Sequence, residues 1–115
     1  MQKIIHARFY RTGSAGSEPV REWLRELRPE ERQKIGQAIR LVELGWPSGM
    51  PVCRPLGDGL FEIRLHLDTR IARIFFCIAD GEMWLLHGFM KTTQKTPPRE
   101  LQLARQRQKE LLGGK

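Results

Sequence analysis

Apolar and polar positions alternate from residue 3 to residue 11, with Ile5, Ala7 and Phe9 on one side and His6, Arg8 and Tyr10 on the other. That is the period of a strand. Thr12-Gly13-Ser14-Ala15-Gly16 predicts a turn, since glycine takes positive φ angles without steric cost. The period then changes. Ser17-Glu18-Pro19 predicts a helix start with Ser17 as the cap, and Val20, Trp23, Leu24 and Leu27 recur at helical spacing. Arg28-Pro29 ends this helix and Glu30-Glu31 opens a second, striped by Ile35, Ala38, Ile39 and Val42, with Gly45 as its C-cap and Pro47 beyond. Residues 45–59 are crowded with Gly and Pro and are predicted to form a loop.

Three strands follow. Over residues 60–67, Phe61, Ile63, Leu65 and Leu67 alternate with Leu60, Glu62, Arg64 and His66. Arg70 to Ala79 forms the next strand, Asp80-Gly81 a hairpin turn, and Glu82 to Lys91 the third, whose apolar middle (Met83-Trp84-Leu85-Leu86) suits the centre of a sheet. A last helix is expected from a Thr96 cap and Pro97, with Leu101, Ala104, Gln108 and Leu111 along one side and Arg99, Arg105, Arg107 and Lys109 on a solvated remainder; Gly113-Gly114 closes it. The order is β-α-α-β-β-β-α, an α+β chain whose residues 1–115 are expected to form one domain.

Composition narrows the class. The 115 residues, 40% hydrophobic, suffice for one core and argue against disorder. No apolar run approaches the roughly 18 residues needed to span a bilayer, and polar residues interrupt the N-terminal stretch, so neither a membrane span nor a signal peptide is expected. Cys53 and Cys77 are expected to be unpaired thiols in a reducing cytoplasm. No C-x-x-C or H-x-x-x-H motif is present and His6, His66 and His87 are scattered, so no metal site or other cofactor is expected. Twenty Lys and Arg against thirteen Asp and Glu give a net charge of +7, which favours a polyanionic partner, nucleic acid before others.

The candidate chemistry lies on the strands. With helices on one face of a sheet, the other face is expected to be open for binding. That face would carry Glu62, Arg64 and His66 on one strand, Arg73 within the apolar Ile71-Ala72-Arg73-Ile74-Phe75-Phe76 on the next, and Leu85, His87, Phe89 and Lys91 on the last, with Lys95 in the loop beyond. Each has a structural reading too: Arg64 could pair with Glu62 or Asp68, Arg73 could bridge to Glu82, His87 could be a satisfied core histidine, and Phe75 and Phe89 could be core. Together they suggest a cationic concavity for a phosphodiester. RNA can be cut by its own 2′-hydroxyl, given a base, an acid and cations for the charge that develops on the phosphorane. Arginine suits the last role through its planar fork, and histidine titrates near neutrality.

The runs Leu60-Phe61-Glu62-Ile63-Arg64-Leu65, Arg73-Ile74-Phe75-Phe76 and Leu85-Leu86-His87-Gly88-Phe89-Met90-Lys91-Thr92-Thr93-Gln94-Lys95-Thr96-Pro97, followed by a helix with Glu100-Leu101 and Ala104-Arg105, resemble the HigB branch of the RelE/ParE toxin superfamily, which includes phage-derived relatives. The resemblance implies a RelE-like twisted antiparallel sheet with two helices on one face and a C-terminal helix beside it. It implies a type II toxin that cleaves messenger RNA in the ribosome without a metal or cofactor. It also implies a helix-turn-helix antitoxin, through which alone the toxin would meet operator DNA. Arg64, Arg73 and Lys91 match the basic positions that hold the scissile phosphate; Lys95 and His87 are candidates to replace a tyrosine that some relatives have. Glu62, where some relatives carry lysine, joins His66, Phe75, Phe89 and Arg99 as candidate RNA contacts. A gyrase-inhibiting toxin of the ParE kind and an inactive module that binds only its antitoxin remain alternatives.

Overall fold

The computed structural model describes residues 4–13, 16–47, 53–91 and 97–113. Expectations that fall on Lys3, Ser14, Ala15, Lys95, Thr96 and Gly114 lie outside the described residues. The elements are β1 (His6–Phe9), α1 (Pro19–Arg25), α2 (Pro29–Gly45), β2 (Cys53–Gly57), β3 (Leu60–His66), β4 (Ile71–Ala79), β5 (Glu82–Lys91) and α3 (Pro98–Gly113). They build a mixed α+β fold of RelE-like kind around a five-stranded sheet ordered β1-β5-β4-β3-β2.

Two features of the sheet depart from expectation. The segment read as loop contains β2, which pairs with β3 at the sheet's edge. Pro55 masks strand character in the sequence, yet at an edge its missing N–H costs no ladder bond. The sheet is also not wholly antiparallel, because β1 runs parallel to β5. A parallel pair needs a long crossover, and the chain between β1 and β5 provides one.

One face of the sheet is covered by α1 and α2. Ile35, Ala38, Ile39 and Val42 of α2, the stripe read from the sequence, pack with Val20 of α1 on Ile63, Ile74, Phe76, Met83 and Leu85. Gly88 is required here by close approach: a Cβ at that position would come within 2.5 Å of the Trp23 ring. Glu43, buried at the end of α2, accepts a 2.7 Å hydrogen bond from the Ala7 amide, while its backbone carbonyl accepts from Ile4 and Ile5. This bonding ties β1 to the helix. Pro19 stands in the first turn as expected, but Glu18, not Ser17, occupies the cap position; the Ser17 hydroxyl instead donates to Glu22 at 2.9 Å. Asp80 and Gly81, with φ of 55° and 74°, make the expected β4–β5 hairpin turn.

The opposite face is not open. Across it lies α3, whose Ala104, with Leu101 and Leu111 beside it, packs on Leu60, Phe75, Cys77, Leu86 and Phe89 together with Tyr10. The sheet therefore carries two cores. Cys53 and Cys77 are unpaired, and burial pushes both thiols up to about 11.

Candidate nucleic-acid interface

The strand register sets three rungs on the α3 side. Arg54, Glu62, Phe75 and His87 lie across β2, β3, β4 and β5 in the first; Arg64, Arg73 and Phe89 form the second; His66, Ile71 and Lys91 form the third. In an antiparallel ladder, residues directly opposite one another share a face. Arg64, Arg73 and Lys91 thus share one side of the sheet. Leu85 was expected there as well. An irregularity in the β4–β5 register at Phe75–Phe76 turns it to the other face, among the α2 contacts, and leaves Leu86 under α3.

Burial then sorts the candidates. Arg73 is 0% exposed and donates from Nη1 to Glu62 Oε2 at 3.0 Å; Glu62 is equally buried, and its Oε1 accepts from Arg54 Nε at 2.8 Å. Arg54 keeps about half its side-chain surface. A buried charge survives only with such a partner, so Arg73 and Glu62 are held as a unit. The bridge expected from Arg73 goes to Glu62, and Glu82 pairs with Arg8 instead. Glu62 and Phe75 have no exposed surface, so the candidate RNA contacts expected of them have no surface to act through; they form the floor of this face. Phe89 is nearly buried, and Arg64 and Lys91 are partly exposed. His66 and Arg99 are exposed, on the third rung and in the first turn of α3.

His87 lies in a seam between sheet and helix. Its ring stacks with Phe75 and Phe89 at centroid distances of 6.2 and 5.7 Å. Arg107 Nη1 approaches Nδ1 at 3.3 Å, and Nε2 meets Glu100 Oε1 at 2.5 Å. An arginine can only donate, so Nδ1 is the acceptor and Nε2 carries the hydrogen given to Glu100. Burial holds the imidazole below its ordinary range, Glu100 opposes that shift, and Arg107 adds to it. With both nitrogens occupied, His87 fastens α3 to the sheet.

The rest of α3 continues the seam. The basic residues expected to be a solvated face are in part inward. Arg107 donates to the Leu86 carbonyl at 2.8 Å and lies over the Tyr10 ring, 5.9 Å from its centroid. Arg105 donates to the Leu56 and Gly57 carbonyls at 2.9 and 3.0 Å, and Gln108 to that of Asp58 at 2.8 Å. The Tyr10 hydroxyl donates to Glu110; burial first, then this carboxylate, pushes its pKa up to about 12. Arg54, Tyr10, Glu100 and Arg107 were missed from the sequence. Residues 100, 104, 107 and 111 do share a helical face, so that spacing carried the signal for Glu100 and Arg107. Nothing local marked Arg54.

The bonds of α3 reach from Glu100 on the first rung to Gln108 at the β2–β3 turn, so the second and third rungs extend past its first turn. Cations from four strands (Arg54, Arg64, Arg73 and Lys91) share this side of the sheet, and two of them, Arg54 and Arg73, are bonded to Glu62. Such a cluster can receive phosphate oxygens. Among the described residues no group of three or more His, Cys, Asp or Glu is placed to hold a metal ion, and no helix is long and apolar enough to cross a membrane.

Residues 22–109 match the family described as phage derived protein Gp49-like (DUF891), and the chain belongs to that family, which is of the RelE/Gp49 toxin type and is related to the toxins of toxin–antitoxin systems. None of the curated proteins matches the chain.

Proposed function

We propose that this protein is the toxin of a type II toxin–antitoxin pair, of the HigB branch, and cleaves ribosome-bound messenger RNA by attack of the 2′-hydroxyl on the adjacent phosphate. Membership of a toxin family supports the first part. The observation that carries the second is the pairing of Arg64 with Arg73 in register, one rung from Lys91, on one side of the sheet. Arg64 and Lys91 reach the phosphate; Arg73 adds its field from beneath, and Lys95 on the segment after Lys91 is a further cation for proton transfer or charge stabilisation. The reaction needs no metal in this reading, because side-chain cations stabilise the phosphorane. The partner is a helix-turn-helix antitoxin, and operator DNA is met only through it. The expected setting is the cytoplasm, with the ribosome.

In a purified translation system the wild-type protein is expected to cut ribosome-bound message, and Arg64→Ala to lower the rate on the order of a hundredfold. Equal cutting by both proteins would remove Arg64 from the site; absence of cutting by the wild type would remove the nuclease reading. One observation favours a second reading, a module that only binds its antitoxin: Arg73 is fully buried and ion-paired with Glu62. Expression without the antitoxin separates the two, since the module leaves growth untouched and the nuclease arrests it.

A further inference from the structure

We infer that Arg54, on the edge strand β2, is an RNA-phosphate contact of the same site, and that the buried carboxylate of Glu62 is the positioning residue that aims it; the inference rests on the nuclease reading for its substrate, though not for its geometry. Glu62 has two oxygens and divides them. Oε2 accepts from Arg73 at 3.0 Å in the interior, and Oε1 accepts from Arg54 Nε at 2.8 Å at the surface. Both bonds run across strands, with Arg54 opposite Glu62 in the β2–β3 register and Arg73 one rung away.

A buried carboxylate with a single arginine would form a closed neutral pair. The second arginine makes the unit net cationic, and the surplus sits on Arg54, the member with 49% of its side chain exposed. An exposed arginine ordinarily samples many rotamers. Fixing Nε on a wholly buried oxygen removes most of that freedom before any ligand arrives. It also sets the plane of the guanidinium, so that its Nη side, the side that recognises phosphate in a fork, is turned away from Glu62. Arg54 thereby extends the Arg64–Arg73–Lys91 cluster by one strand, to the sheet's edge. A lysine at this position would keep the charge but lose the fixed plane.

The test is salt-dependent binding of a short labelled single-stranded RNA of mixed sequence, together with cleavage of ribosome-bound message, for wild type, Arg54→Ala, Arg54→Lys and Arg21→Ala. Arg21 lies on α1, across the sheet, and controls for loss of one positive charge. Loss of one phosphate contact to a single strand lowers the slope of log affinity against log salt by about 0.7. Arg54→Ala is expected to show that drop and a loss of cleavage of about tenfold to a hundredfold. Arg54→Lys is expected to recover the slope and only part of the rate, and Arg21→Ala to match wild type. Because Arg54→Ala leaves Glu62 paired with Arg73, it is expected to fold. An unchanged slope in Arg54→Ala, or no RNA binding by the wild type, overturns the proposal. If the wild type binds RNA with the Arg54-dependent slope but does not cut ribosome-bound message, the contact stands and the nuclease reading falls. If it cuts and Arg54→Ala cuts equally with an unaltered slope, the reverse holds.

Discussion

The two faces of the sheet are built by different means. Under α1 and α2 the contact is mainly aliphatic and aromatic, with Ile35, Val42, Ile63, Ile74 and Phe76 buried and Gly88 letting the Trp23 ring lie against β5, while the buried carboxylates of α2, Glu31 and Glu43, are bonded to Arg70 and to the Ala7 amide. Under α3 a smaller apolar patch is rimmed by polar bonds, with Glu62–Arg73 buried outright and His87–Glu100, Tyr10–Glu110 and three side chains on backbone carbonyls along the seam. The first face is stabilised by removal of area from water, which tolerates sliding and repacking. The second depends on partners at fixed distances, because a buried polar group without one is costly. A fold that needed only stability could have used apolar residues on both faces. The charge on the α3 side is therefore the better pointer to function.

That contrast can be broken most sharply at Glu62. Glu62→Ala leaves the buried Arg73 guanidinium without its carboxylate, and a loss of about 3–5 kcal/mol of stability is expected in urea unfolding. The double variant Glu62→Leu with Arg73→Met is expected to recover most of it or exceed wild type, since apolar replacement of a buried ion pair is often neutral or better. Recovery of stability together with loss of RNA cleavage would show that the pair is kept for function. A double variant as unstable as the single one would show the reverse.

On the apolar face, Gly88→Ala drives a methyl group into Trp23 and is expected to cost about 1–3 kcal/mol, read as a fall in Tm. Adding Trp23→Leu is expected to relieve part of that cost, because the clash is with the ring. Arg105→Ala removes two donors to the β2–β3 turn and is expected to cost about 1 kcal/mol, with faster amide exchange at residues 56–59.

The smallest effect concerns pH. The folded state lowers the His87 pKa from its usual 6.5, so the unfolded chain takes up the proton first as pH falls. Stability from this group is complete above about pH 6.5 and declines as pH drops toward the lowered value. His87→Gln is expected to flatten that part of the stability curve while leaving the slope above pH 7 unchanged. A wild-type curve with the same slope as the variant between those limits would mean that burial does not govern His87.

Local pattern alone determined much of this protein. Alternation marked β1 and β3, and apolar runs bounded by turn residues marked β4 and β5; the spacing of Val20 to Leu27 and of Ile35 to Val42 marked α1 and α2; and Asp80-Gly81 marked the hairpin, because each depends on residues within a turn or two of one another. The basic balance was likewise legible, as was the placing of Arg64, Arg73 and Lys91 on one side of the sheet. Pairing across the chain was not. The β2 edge, the parallel β1–β5 pair, the irregularity that separates Leu85 from His87, and the folding of α3 over the supposedly open face are all set by contacts between segments remote in sequence. Those contacts also decided which cations are exposed. Arg73 reads from the chain as either a phosphate clamp or a structural bridge and is a buried counter-ion of Glu62, while Arg54 reads as a loop residue and is the half-exposed member of the same unit. A side chain's type states what bonds it can make; only the packed neighbours, through the cost of removing charge from water, decide which of them it makes.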